Sequence, residues 1–185
     1  MKVTLNSIRE ALSFTDSRTS GNTDNFQNMM PAGVLLLVYV KENNVCVLLN
    51  KRTDRVEHHK GEISFPGGAR DPEDATILDT ALRETHEEMG IIREDVEILC
   101  KLDQVPTRSG FVITPFVGII PPSYPFQVSH IEVGKVLEVP LHVLFTSDNS
   151  VDQSSGEITY SYGEHHIWGA TARILNQFLG LIAQR

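Results

Sequence analysis

Apolar residues recur along this chain in two rhythms. From Gly33 to Tyr39 they run almost unbroken, the pattern of a strand buried on both faces. Lys41-Glu42-Asn43-Asn44 then turns the chain into a second apolar run, Val45 to Asn50, so the two read as a hairpin. Further on, Ile77, Leu78, Ala81, Leu82, Thr85 and Met89 return at intervals of three and four, a helical stripe facing a core. Strand-like runs follow at Val96 to Leu102, Phe111 to Ile120, Val133 to Pro140, Ile158 to Tyr162 and His165 to Trp168, with a short helix or turn at Leu141 to Leu144. Amphipathic helices are predicted at Leu5 to Phe14 and Thr171 to Ala183, and the polar stretches Thr15 to Asn28 and Thr146 to Glu157 read as an arm and an exposed loop. This alternation predicts an α/β fold, a mixed sheet covered by helices. Residues 1–30 read as an N-terminal helix and polar arm, and 31–185 as one globular domain.

The polar side of the central helix changes the picture. Glu84, Glu87 and Glu88 fall at i, i+3 and i+4, where side chains share a helix face and like charges repel unless a cation lies between them. Asp71, Pro72, Glu73 and Asp74 supply turn and N-cap chemistry before the stripe, and Gly90 suits a left-handed C-cap. Upstream, Phe65-Pro66-Gly67-Gly68 reads as a tight glycine turn, which lets backbone approach a ligand and offers a carbonyl to a hard cation.

The run Arg83-Glu84-Thr85-His86-Glu87-Glu88-Met89-Gly90-Ile91 resembles the right half of the Nudix hydrolase signature, G-x5-E-x7-R-E-U-x-E-E-x-G-U, with U a bulky apolar residue. Gly68 lies one residue further from Arg83 than that signature has it, and neither Asp74 nor Ala75 supplies its isolated upstream glutamate. The longer spacing is similar to the coenzyme A diphosphatase branch, whose fixed positions are filled by Phe65 to Gly68, Asp71, Asp74, Thr80-Ala81-Leu82-Arg83-Glu84, Glu87-Glu88 and Gly90. An upstream element of that branch is matched at Leu48-Leu49, Arg52 and Gly61, while Asn50 replaces Thr, Thr53 replaces Ser and Glu57 replaces Arg. Thr107-x-Ser109-Gly110-Phe111, Glu132-Val133 and Ile167-Trp168-Gly169 onward are similar as well.

The resemblance implies the Nudix α/β/α sandwich and hydrolysis of a diphosphate linkage with Mg²⁺ or Mn²⁺. Glutamates are hard oxygen ligands suited to those ions, which offset charge on the phosphoryl groups and the leaving phosphate. Glu84 and Glu88 are the expected principal ligands, Glu87 and the Gly68 carbonyl complete the site, and Arg83 orients a glutamate through a charge-assisted pair. A water is the nucleophile, and its base is one of these glutamates or Glu132. Arg52, Arg55, Lys60, Gly67 and Phe111 are the candidate substrate-binding residues, and His58 and His59 belong to the same basic run. His86 lies on a different helical face and reads as inert, and Trp168 reads as core packing. Coenzyme A or its thioesters lead as substrate, cleaved to 4'-phosphopantetheine or its acyl form and adenosine 3',5'-bisphosphate. Another nucleoside diphosphate derivative (ADP-ribose, NADH, a dinucleotide polyphosphate) and a binding module without hydrolysis are the alternatives.

Composition narrows the partners. At 185 residues with a formal net charge of −8, the chain lacks the basic surface that nucleic-acid binding draws on, so a small polyanion must be met locally. No apolar run is long enough for a membrane span and the start lacks a basic-then-apolar signal, which points to the cytoplasm. Cys46 and Cys100 sit in apolar strand-like runs and read as buried thiols. A monomer and a homodimer are both compatible with the chain.

Overall fold

The structure is a computed structural model that describes residues 3–13, 26, 28–53, 61–146, 150–151 and 157–183. Its central sheet is built on β1 (Met30–Lys41), whose run from Ala32 to Tyr39 is buried throughout. On one side β1 pairs antiparallel with β2 (Asn44–Arg52) and, nearer its start, with β4 (Gly67–Ala69). On the other it pairs parallel with β7 (Phe111–Ile119), which in turn carries β5 (Glu97–Lys101) and β6 (Val105–Pro106) antiparallel. β3 (Ile63–Ser64) and β8 (Val133–Pro140) both pair antiparallel with β2. The sheet is therefore mixed, as the pattern predicts.

Strand alternation sorts the core into two layers. Leu35, Leu37 and Tyr39 of β1 with Cys46 and Leu48 of β2 pack against Ala81, Leu82 and Met89 of α2 (Ile77–Met89). Leu36, Val38, Val47 and Leu49 face the other way, onto Ile8 and Leu12 of α1 (Leu5–Leu12) and Ile174, Leu175 and Phe178 of α4 (Gly169–Ala183). This is an α/β/α sandwich. α3 (Leu141–Thr146) and a small sheet of β9 (Ser150–Val151), β10 (Ile158–Tyr162) and β11 (His165–Ile167) complete the described strands and α-helices. Cys46 and Cys100 are both buried. No helix among the described residues is long and apolar enough to cross a membrane.

Three local expectations are corrected. Gly67 and Gly68 form a short strand rather than a tight turn, Gly67 at φ 144 allowing the chain to run against Gly33 and Val34 of β1. The N-cap of α2 is Thr76, in a reciprocal capping box with Asp79, and not one of the upstream acids. Trp168 is 54% exposed, because β11 alternates buried His165, exposed His166 and buried Ile167, and the next side chain returns to solvent. The expected C-cap holds, with Gly90 left-handed at φ 68 and its N–H donating to the His86 carbonyl.

Candidate active site

α2 lies over β1 and β4, and its last turn brings Glu88 to Asn50 of β2, which assembles the site. Glu88, one position before the last residue of the helix, is only 4% exposed. Its Oε2 accepts from Asn50 Nδ2 at 2.9 Å and from the Gly67 N–H at 3.2 Å, while Oε1 lies 3.7 Å from Arg52 Nη1. Glu84, one turn earlier, is partly buried against Gly68, where a Cβ would stand 2.5 Å from the Glu84 carboxylate. Glycine at 68 thus leaves the room that the Glu84 carboxylate occupies. Glu87 points outward, its side chain 53% exposed. The acidic triplet divides into two inward carboxylates and one outward one, because the sheet beneath α2 covers the side that Glu84 and Glu88 share and leaves Glu87 at its edge.

Arg83 organises the outer side of this pair. Its Nε and Nη2 donate to Asp74 Oδ1 and Oδ2, each at 3.0 Å, and its Nη1 donates to Glu84 at 2.8 Å and to Glu87 at 3.2 Å. Asp74 is buried and also accepts from Thr80 Oγ1 at 2.8 Å and the Asp71 N–H at 2.9 Å. Asp74 is therefore the anchor of the arginine, a role that sequence reasoning left unassigned. A buried acid nine residues from the arginine it holds carries no periodic signal; its fit to the Asp position of the branch motif was the one pointer. His86 is exposed on the outer face.

The carboxylates are electrostatically uncomfortable. Burial pushes the Glu88 carboxyl up to about 7, with the Gly67 N–H and Arg52 pulling it back and the Glu132 and Glu84 charges adding to the rise. Burial likewise raises Glu84 against the opposing Arg83, and Glu87 and Glu132 push it further. Glu132 reaches this place because the segment before it caps α2: the N–H groups of Gln127 and Ser129 donate to the Met89 and Glu88 carbonyls, each at 2.9 Å.

Glu88 thus holds a proton in the folded state up to about pH 7, whereas an unfolded glutamate releases it near about pH 4.3. Across that window the folded state binds more protons, so stability falls as pH rises through it. With chelator present, the melting temperature is expected to fall between those limits, and Mn²⁺ is expected to raise it more at pH 8 than at pH 5, because the ion favours the ionised carboxylates. A flat profile in chelator would contradict this placement of Glu88.

Among the described residues no three His, Cys, Asp or Glu side chains form a ready cluster for a metal ion. Two inward carboxylates beside a glycine backbone nevertheless make an all-oxygen set, the chemistry that Mg²⁺ and Mn²⁺ take, with other positions left to water and substrate. Buried Asn50 Oδ1, Arg52 Nε and Thr85 Oγ1 have no hydrogen-bond partner among the described residues. The residues present fit such an ion.

Of the other sequence-predicted residues, Arg52 and Gly67 are brought to Glu88. Phe111 opens β7, which is separated from the Gly67-Gly68 strand by β1. Arg55, Glu57, His58, His59 and Lys60 lie outside the described residues. Asn50 was noted in the sequence only as a substitution; a polar residue ending the apolar run Val45 to Leu49 was the available signal.

The chain is similar to known proteins along most of its length. A profile of the NUDIX domain matches residues 29–152. The Photorhabdus laumondii protein named "Uncharacterized Nudix hydrolase NudL" is 36% identical over 159 residues, covering 81% of this chain and 83% of the relative. The Citrobacter koseri protein of the same name is 38% identical over 160 residues, 81% of each chain. Among solved structures, a MutT/nudix family protein from Enterococcus faecalis superposes with a TM-score of 0.56 at 14% identity, over 100% of this chain and 76% of that one. A C. elegans Ap4A hydrolase superposes at 0.52 with 19% identity, over 60% and 80%. These structural likenesses concern the fold; the profile and the NudL relatives carry the assignment. With the carboxylates of Glu84 and Glu88 gathered on β4 and β2, and with the match running through them, the chain belongs to the Nudix hydrolase family.

Proposed function

We propose that this protein is a divalent-metal-dependent diphosphatase whose substrate is a small molecule built on a nucleoside diphosphate. The observation that carries the reading is the pair Glu84 and Glu88, turned toward the glycine strand, Glu88 by hydrogen bonds from Asn50 and the Gly67 N–H and Glu84 by one from Arg83, although burial opposes their ionisation. A structure that only needed to fold would gain by replacing them with apolar side chains.

In this reading Glu84 and Glu88 hold Mg²⁺ or Mn²⁺ with the Gly68 carbonyl, and Glu87 completes the site at its exposed edge. The ion supplies charge neutralisation at the diphosphate and lowers the pKa of water. Arg83, fixed by Asp74, keeps Glu84 oriented and offsets the negative charge of the cluster when the substrate is absent. Arg52 lies at the same end of Glu88 and meets the diphosphate. Glu132, whose charge both glutamates sense, is the candidate acceptor of the water proton.

For the substrate itself, coenzyme A or an acyl-coenzyme A is the finer proposal. It rests on the motif residues Thr80 to Glu84 at the one-residue-longer spacing from Gly68, and on Leu48-Leu49, Arg52 and Gly61 upstream. A second reading, another nucleoside diphosphate derivative, is favoured by Glu57, which reverses the charge at an arginine position of the upstream element. The fold shared with a protein named Ap4A hydrolase accommodates it.

One assay separates them: purified protein with Mn²⁺ or Mg²⁺ against coenzyme A, dephospho-coenzyme A, ADP-ribose, NADH and diadenosine polyphosphates, with products identified by mass. Release of 4'-phosphopantetheine and adenosine 3',5'-bisphosphate in preference to the rest is the expected result. Preference for another compound keeps the chemistry and replaces the substrate. No turnover of any compound would sink the enzymatic reading.

A further inference from the structure

The two oxygens of Glu88 are not equivalent. Oε2 accepts both hydrogen bonds, from Asn50 Nδ2 and the Gly67 N–H, while Oε1 accepts neither and lies 3.7 Å from Arg52 Nη1. Asn50 is 1% exposed, within β2, on the sheet face that Cys46 and Leu48 share against α2. An amide there costs free energy unless it is bonded, and its Oδ1 finds no partner among the described residues. Packing alone would favour an apolar side chain of similar size at this position.

We infer that Asn50 is a positioning residue for metal binding: by pinning Oε2 it turns Oε1 of Glu88 toward the divalent cation. The inference rests on the reading of Glu88 as a metal ligand. Outer partners of this kind hold a ligand in its binding rotamer before the ion arrives, and their loss typically weakens affinity by about 10-fold to 100-fold. The Gly67 N–H is the second pin, but it belongs to the backbone and is indifferent to most substitutions.

The test is Mn²⁺ binding to the substrate-free protein, followed by electron paramagnetic resonance or calorimetry, for the parent, Asn50→Leu, Asn50→Thr and Glu88→Gln. Asn50→Leu is expected to weaken Mn²⁺ by about 10-fold or more, with turnover recovering as Mn²⁺ is raised to saturation, a rescue that a merely structural defect would not show. Asn50→Thr, which keeps a shorter donor, should fall between parent and Leu. If Asn50→Leu does not fold, Asn50→Thr decides: a weakened affinity supports the role and an unchanged one overturns it. Mn²⁺ binding in folded Asn50→Leu as tight as in the parent overturns it too. When Glu88→Gln is weakened and Asn50→Leu is not, only the role of Asn50 falls; when Glu88→Gln itself binds normally, the ligand reading beneath it falls as well.

Discussion

Glu88→Gln is expected to lower turnover by roughly three orders of magnitude or more at any metal concentration, with the fold intact. The amide has the same shape, and its oxygen can take the place of Oε2, where Asn50 Nδ2 and the Gly67 N–H both donate. That choice puts the NH₂ group where Oε1 was, beside Arg52, so a donor replaces the oxygen that would meet the cation. The substitution therefore removes one negative charge and one ligand at a stroke. Stability should not suffer with it. Burial already holds the Glu88 carboxyl up to about 7, so a permanently neutral side chain relieves desolvation in the metal-free protein. Kinetics at saturating Mn²⁺ and thermal melts in chelator at pH 8 check the two halves. Turnover within about tenfold of the parent would remove Glu88 from the chemistry.

Asp74→Ala is expected to destabilise the protein by about 2–4 kcal/mol at neutral pH, toward the lower part of the range for a broken buried pair because Arg83 keeps some contact with water. The deletion strands the two bonds from Arg83 and those from Thr80 Oγ1 and the Asp71 N–H. Arg83 would keep only Glu84 and Glu87, and the loop between β4 and α2 would lose its internal hub. Turnover should fall too, since Glu84 is oriented through the same guanidinium. The pH dependence has a definite sign. Arg83 first, then the Asp71 N–H and Thr80, hold the Asp74 carboxyl well below the usual carboxylate range, against the opposing effect of burial. Its contribution is complete above the unfolded value near about 3.9 and is lost as pH falls toward the depressed folded value. Denaturant melts should therefore show a deficit in Asp74→Ala at pH 7 that narrows in strong acid. Equal stability at pH 7 would mean that Arg83 does not depend on Asp74.

Much of this was legible because it is local. The stripe from Ile77 to Met89, the acids at Glu84, Glu87 and Glu88 and the left-handed Gly90 are all set within one helix, by spacings of three and four residues and by a single backbone conformation. The two core layers were likewise implied by the almost unbroken apolar run from Gly33 to Tyr39, the pattern of a strand buried on both faces. Less legible were the relations between elements. Glu87 and Glu88 are the same residue type side by side, and only the sheet beneath α2 makes one buried and the other exposed. Trp168 looked like core because tryptophan is large and its neighbours are apolar, yet the phase of β11 turns it outward.

By itself, then, the sequence determined the family and the groups it offers: carboxylates at helical spacing, a glycine pair upstream, and a family signature around both. The tertiary structure decided which carboxylates turn inward and which of their oxygens are already bonded. It carried Asn50 from β2 to Glu88 and Asp74 from a loop to Arg83, and it carried Glu132 in behind the segment that caps α2. The physical reason is that helical periodicity acts over a few residues of one chain segment, whereas burial, desolvation and the pairing of one carboxylate oxygen rather than the other exist only once separate segments have closed around it.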